Sequence, residues 1–293
     1  MNDGLKNHPL VSVIIPCYNS EEFIEETLKS LLNQSYQRFE IIVVDDASND
    51  NTPKIVQRYS STDQRIKYFT INHTGRPSVP RNFGVSKSSG EYIAFLDSDD
   101  LWTREKLKYQ VNYLTKNQNI QFVYSMCFSF GNVNFFSEML ELLPLPFRAA
   151  KNREDLIYIG NTIPLSSVLV RKEAFNNAGG FDEDPNDKLE DYGLWLALSE
   201  INNFYFIPRI HVYYRIHNNQ FSSDWESKEQ SLKYLAEKKN IKFNSYKYYR
   251  RKSTVFLLVR NLVHYLFYIT YKLIGYIENN DRLPVRGEKV DNK

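Results

Sequence analysis

GEYIAFLDSDDLW, residues 90–102, decides the fold. Tyr92, Ile93, Ala94, Phe95 and Leu96 carry no charge, so this stretch reads as a strand packed on both faces. It runs straight into Asp97, Asp99 and Asp100. Three carboxylates at the exit of a buried strand repel one another unless solvent, helix amides or a cation relieves them. If the backbone stays extended there, Asp97 and Asp99 point the same way and can share one divalent metal.

The segments before it repeat the pattern. LVSVII (10–15) is a charge-free strand followed by a PCYNS turn, and residues 21–34 form a helix with Phe23, Ile24, Thr27, Leu28, Leu31 and Leu32 on one side. FEIIVVDD (39–46) is a second strand ending in acids. TPKIVQRYS (52–60) is a short helix with Pro near its start, IKYFTI (66–71) a third strand, and PRNFGVSKSSG (80–90) connects to the opening stretch. Strand–helix alternation with charge-free strands predicts an α/β fold: a Rossmann-like, mostly parallel central sheet with helices on both faces. In such sheets ligands bind beyond the carboxyl ends of the strands, where both acidic clusters lie.

A second region begins near residue 103, with a helix over 103–117, a strand over 120–128, a less regular stretch over 131–165 interrupted by Pro144, Pro146 and Pro164, and a strand over 166–171. A helix starts at Glu190 with Leu194, Trp195 and Leu198 on one face; Trp195 reads as core. Residues 204–222 supply two more β-like pieces.

The chain has 293 residues, 42% hydrophobic and 25% charged, which is ordinary globular composition. A net charge of +2 makes no case for nucleic acid. Two cysteines, Cys17 and Cys127, exclude a disulfide scaffold or a Cys-rich zinc site and suit a reducing compartment. The first residues lack the basic and apolar regions of a signal peptide, so the expectation is a cytoplasmic protein.

Residues 226–293 change character. Between Lys233 and Lys272 there are ten Lys or Arg and one acid, Glu237. On a helical projection, Arg260, Asn261, His264, Tyr268, Tyr271, Lys272 and Gly275 fall in one stripe, and the rest of that surface is apolar. A spanning helix needs about 20 largely uncharged residues; Arg260 and Lys272 leave eleven between them. The expectation is an amphipathic helical tail lying on an anionic membrane surface through residues 247–277; the competing reading packs it on the protein's own core or on a second subunit.

Order and spacing add what single motifs lack. VSVIIPCYN, EIIVVDDASND, RNFGVSKSSGEYIAFLDSDD, GGFDED followed by EDYGLWLAL, and YRIH, across residues 9–217, together resemble the inverting family 2 glycosyltransferases. The resemblance implies a GT-A fold, with a nucleotide-sugar-binding half (1–102) and an acceptor-binding half (103–225) in one domain. It implies nucleotide-sugar contacts from Pro16, Tyr18, Asp46, Arg81, Asp97 and Ser98. Tyr18 would lay its ring on the base. Asp46, favoured over Asp45, would accept from uracil N3–H, and Arg81 would approach the diphosphate. Mn²⁺ or Mg²⁺ would be held by Asp97, Asp99 and His217, with His211 the weaker substitute for the imidazole. Glu190 and Asp191 would be the catalytic pair, Asp191 as general base and Glu190 as acceptor-sugar ligand or support. Ala47 stands where the family usually has Gly, and Pro80 where a small residue is common.

The resulting expectation is an inverting hexosyltransferase moving glucose or galactose from a UDP-sugar to an undecaprenyl-diphosphate-linked sugar, in O-antigen or capsule synthesis, peripheral on the cytoplasmic face of a bacterial inner membrane. Protein or teichoic acid acceptors, and a non-catalytic carbohydrate- or membrane-binding protein on the same fold, are the alternatives. A sugar-1-phosphate nucleotidyltransferase is disfavoured because PCYNSEEF is not a Gly-rich, Arg-containing loop, and a processive synthase because no QxxRW segment occurs.

Overall fold

Four predominantly apolar runs pair in parallel: β1 (Val11–Cys17), β2 (Phe39–Asp45), β3 (Ile66–Thr70) and β4 (Tyr92–Phe95), in the order β3-β2-β1-β4. The computed structural model describes residues 8–131, 142–143, 149–201, 203–217 and 225–241 of the chain. Alternate residues of the central strands enter two separate cores. Ile14, Ile42, Val44, Ile93 and Phe95 face one side, and Val13, Ile15, Ile41, Val43, Ala94 and Leu96 the other. A strand buried on both faces has no polar side to present, which is why β1 and β4 lack charge, and Glu40 of β2 is paired with Lys67 of the neighbouring β3.

Helices α1 (Ile24–Leu32), α2 (Thr52–Thr62), α3 (Ser78–Ser86) and α4 (Lys106–Lys116) connect the first half. The segment read as a connection at 80–90 is largely α3. Its prolines suit the helix start: Pro77 caps it, and Pro80 falls in the first turn, where no backbone N–H is required. Gly84 lets α3 approach the sheet, because a Cβ there would meet Ile14 Cγ2 at 2.5 Å.

The sheet continues through β8 (Leu169–Arg171), β6 (Ile120–Gly131), β9 (Asn203–Ile216) and β5 (Leu101–Trp102), with β7 (Leu142–Leu143) paired to β6. Here the expectation of a mostly parallel sheet gives way to a mixed one. β8 is antiparallel to both β4 and β6, whereas β6 and β9 are parallel to each other. Two reversals return β6 and β9 to the direction of β4. The end of β9 therefore emerges on the same edge as the ends of β1, β2 and β4, and delivers His217 there.

Helices α5 (Arg153–Ile159), α6 (Lys172–Asn177) and α7 (Glu190–Ile201) complete the second half. Trp195 is fully buried against Phe122, with ring centroids 5.8 Å apart, so it belongs to the core. Of the expected tail, α8 (Trp225–Lys239) is described and docks on the loop before α7: Lys238 pairs with Asp182, and Ser231 Oγ takes the Lys188 N–H. Residues 242–293, including 247–277, lie outside the described residues. Among the described residues no helix is long and apolar enough to cross a membrane.

Candidate active site

Three strand ends place the first group of side chains. Within β1, Pro16 is buried opposite Val44, while beyond it Tyr18 is 45% exposed and stacks on His73 at 4.3 Å and 29°. The exposed aromatic pair offers a stacking surface for a planar ring. His73 was not singled out in the sequence, because nothing local marks a residue in a loop 27 positions beyond Asp46 as its neighbour.

Beyond β2, both acids already have partners. Asp45 accepts from Ser48 N at 2.9 Å and Tyr68 Oη at 2.5 Å. Asp46, only 4% exposed, accepts from Thr74 N at 2.8 Å and Gly75 N at 3.0 Å and lies 3.1 Å from His73 Nδ1. Asp46 thus pins the 73–75 loop beside Tyr18, and a base reaching its carboxylate needs one of these partners to move. Ala47 sits at φ +61°, in the left-handed region, which accounts for a Gly being suited to this turn. Ala47→Gly is expected to raise unfolding free energy by about 1 kcal/mol, read as a higher urea midpoint with an unchanged slope.

Beyond β4 the backbone turns rather than staying extended, with Asp100 N donating to Asp97 O at 3.2 Å. The alternation that would have aligned Asp97 with Asp99 therefore does not apply, and the two carboxylates find different partners. Asp97 accepts from Arg81 Nη2 at 2.8 Å, and Asp99 Oδ2 lies 2.9 Å from His217 Nε2. Burial, then the nearby Asp97, raises the Asp99 carboxyl above its usual range. Ser98 contributes its Oγ to Ser20 Oγ at 2.8 Å. Asp100 is fully buried and accepts from Ser166 Oγ at 2.6 Å and Arg215 N at 3.0 Å.

Arg215 is a second residue the sequence reading passed over. Its Nε donates to Asp99 O at 2.8 Å and its Nη2 to Glu26 at 2.5 Å, so it braces the acidic turn against α1. Only His217 of the YRIH segment had been singled out. His211 is corrected: it is 3% exposed, stacked on Tyr109, and pushed down to about 3 by burial and then by Lys106. It stays neutral in the core, stacked on Tyr109 rather than hydrogen-bonded to an acid as His217 is.

Two carboxylates and an imidazole at one strand edge suit a divalent cation. Among the described residues, no three acidic, His or Cys groups already surround a common cation position. Asp99 and His217 form the pair that fits, and Asp97 is held by Arg81.

The N-terminus of α7 reaches the same place from the other half. Arg81, 5% exposed, donates through Nη1 to Glu190 at 2.5 Å as well as through Nη2 to Asp97, joining acids from the two halves. Asp191 accepts from Asn161 Nδ2 at 3.0 Å. Burial and the adjacent Glu190 push Asp191 up to about 7, against the pull of the Asn161 hydrogen bond. A carboxylate poised near neutrality, beside ion-paired acids, is equipped to take a proton from a hydroxyl. Asn161 was not legible in the sequence, lying in the irregular 131–165 stretch.

Residues 12–177 match the sequence family described as Glycosyl transferase family 2. A putative teichuronic acid biosynthesis glycosyltransferase, TuaG of Bacillus subtilis, is 33% identical over 230 residues, 76% of this chain and 86% of TuaG. WfgD of Escherichia coli, a UDP-Glc:alpha-D-GlcNAc-diphosphoundecaprenol beta-1,3-glucosyltransferase, is 33% identical over 194 residues, 66% of this chain and 71% of WfgD. Among solved structures, S. aureus TarS 1–349 in complex with UDP-GlcNAc aligns with a TM-score of 0.64 at 23% identity, covering 77% of this chain and 65% of that one. The mannosyltransferase PcManGT of Pyrobaculum calidifontis, in complex with GDP-Man and Mn²⁺, aligns with a TM-score of 0.63 at 18% identity, covering 94% of this chain and 82% of that one. These structural matches bear out the GT-A fold.

Proposed function

From the chain's belonging to glycosyl transferase family 2, we propose that it transfers a hexose, glucose or galactose, from a UDP-sugar to a sugar carried on undecaprenyl diphosphate, with inversion, during synthesis of a bacterial surface polysaccharide. The observation that carries the reading is the Arg81 bridge, which brings Asp97 of the donor half into one site with Glu190 of the acceptor half, 109 residues beyond Arg81. The names of WfgD and TuaG support a surface-glycan role, and WfgD's supports UDP-glucose and a lipid-diphosphate acceptor. TuaG's equally close match keeps a teichuronic acid chain as the second acceptor reading.

In this reading Tyr18 and His73 receive the base and Asp46 orders their loop. Asp191 removes the proton from the acceptor hydroxyl as its oxygen attacks the anomeric carbon. The bond from that carbon to the diphosphate oxygen breaks on the opposite face, and the nucleoside diphosphate leaves, in one displacement. Asp99 and His217 would hold Mn²⁺ or Mg²⁺, which supplies charge neutralisation for the departing diphosphate. Arg81 holds Glu190 in place beside the base. Residues 247–277 would rest on the cytoplasmic face of the membrane, close to a lipid-linked acceptor.

Thermal shift with UDP, GDP, CDP and dTDP, each with and without Mn²⁺, tests the donor. A ligand that binds only the folded chain raises Tm, by the equivalent of about 2.7 kcal/mol at a hundredfold excess over Kd. The expected result is a shift with UDP that Mn²⁺ enlarges. A shift with GDP or dTDP instead overturns the uridine donor, and no shift with any nucleotide overturns the transferase reading in favour of a non-catalytic one.

The pH profile tests the base. With Asp191 titrating near 7, kcat/KM is expected to rise as pH increases through that region and then level off. Asn161→Ala removes a donor that favours the carboxylate, so the acid limb should move upward by up to about one pH unit. A limb that stays in place separates Asn161 from Asp191.

A further inference from the structure

A cavity of about 460 Å³ opens between the loop 178–187, α7 and α8, and the proposed reaction makes no use of it. Its polar centre is Asp187, which is 7% exposed. One carboxylate oxygen accepts from Leu189 N at 2.8 Å, whereas Oδ2 is buried and has no hydrogen-bond partner. Gly193 also lines the cavity, and a Cβ there would stand 3.5 Å from Asp187 Oδ2, so no side chain at 193 crowds this oxygen from the cavity side. A buried acceptor without a donor is costly, and a ligand that supplies one recovers that cost.

The rest of the lining narrows the ligand. Phe181, Leu194 and Leu235 give an apolar wall. Around it, Asp182 is paired with Lys238, Glu183 accepts from Asn82 Nδ2 at 2.8 Å, and Lys239 lines the edge half-buried. Three carboxylates against two ammonium groups disfavour phosphate or another anion. Mixed donors and acceptors beside an apolar wall, in a volume within the usual range for small-ligand sites, suit a molecule with hydroxyls at its edge and a C–H face.

The cavity also adjoins the reacting groups. Phe181 carries the Arg81 guanidinium 5.6 Å from its ring centroid, and Asp187 precedes Glu190 by three residues in the chain. We infer that the cavity is a saccharide subsite that takes an uncharged sugar unit of the acceptor glycan, other than the unit receiving transfer, with a hydroxyl donating to Asp187 Oδ2. The glycan assignment rests on the proposed transferase reading; the binding of a sugar does not.

The test is a ligand-observed NMR titration of the full chain with methyl β-D-glucoside, methyl β-D-galactoside and N-acetylglucosamine, with inorganic phosphate as the anion control. At least one sugar is expected to bind with millimolar affinity, and phosphate not to bind at this position. Saturating UDP should leave sugar binding unchanged. Asp187→Ala should weaken it about tenfold, the loss of one buried hydrogen bond to a charged group. Ala197→Phe, which projects into the same space, should abolish it.

Asp187→Ala also strips the Leu189 N–H of its acceptor, so its Tm is measured beside that of the parent, and Asp187→Asn, which keeps an acceptor oxygen for Leu189 N, serves if Asp187→Ala or Ala197→Phe does not fold. Absence of sugar binding, affinity unchanged in Asp187→Ala, or displacement by UDP overturns the subsite. Sugar binding without a nucleotide shift leaves the subsite standing and removes the transferase reading; the converse result does the reverse.

Discussion

Asp191→Asn is expected to lower kcat by about 10²–10⁴-fold, the range for losing a general base, while leaving the UDP-induced thermal shift intact. The same change should stabilise the protein at alkaline pH. Asp191 is raised in the folded state, so its favourable contribution is complete below the unfolded carboxyl pKa and is lost as pH rises through about 7. An amide carries no charge to bury and escapes that loss. Discounted for partial exposure of the site, the gain at pH 8 is on the order of 1 kcal/mol, roughly 2–4 °C in Tm, and it should shrink at pH 5.5. Activity within tenfold of the parent would remove Asp191 as the base and direct attention to Glu190.

Arg81→Ala should have the largest effect on stability. The guanidinium side chain is 6% exposed and joins Asp97 and Glu190, the latter with only 10% of its side chain exposed. Deleting one member of a buried ion cluster typically costs about 3–5 kcal/mol because the remaining charge is left uncompensated, or roughly 10 °C in Tm for a chain of this size. Arg81 also helps hold Asp191 down, so any residual activity should show its acid limb displaced upward. Arg81→Lys can reach one carboxylate but not both in fork geometry, and should recover part of the Tm without the activity. A Tm unchanged in Arg81→Ala would show that the bridge does not organise the site.

The Arg81 bridge also shows where reading the chain stops. PRNFG marked Arg81 as functional through its resemblance to a family, and a diphosphate was the expected partner. In the structure its guanidinium is committed to two carboxylates, one of them 109 residues away. The same limit applies to Asn161, paired with Asp191 across 30 residues, and to Arg215, which reaches Asp100 across 115. None lies in a pattern that its neighbours in the chain could reveal. The helix Ser78–Ser86 was hidden for a different reason, since its prolines and Gly84 are poor helix formers in an interior yet harmless in a first turn or against a sheet.

What the sequence determined by itself is whatever depends on near neighbours. Apolar runs make the central strands, which are buried on both faces, their order makes the parallel half of the sheet, and acids at strand ends and at the start of α7 mark the edge where chemistry belongs. What only the tertiary structure decided is which of those groups meet. The antiparallel insertion of β8 turns β9 back toward that edge and brings His217 to Asp99. The turn at Ser98–Asp99 sends Asp97 to Arg81 instead, because a buried guanidinium recruits every carboxylate within reach, and reach is set by strand order and backbone direction rather than by position in the chain.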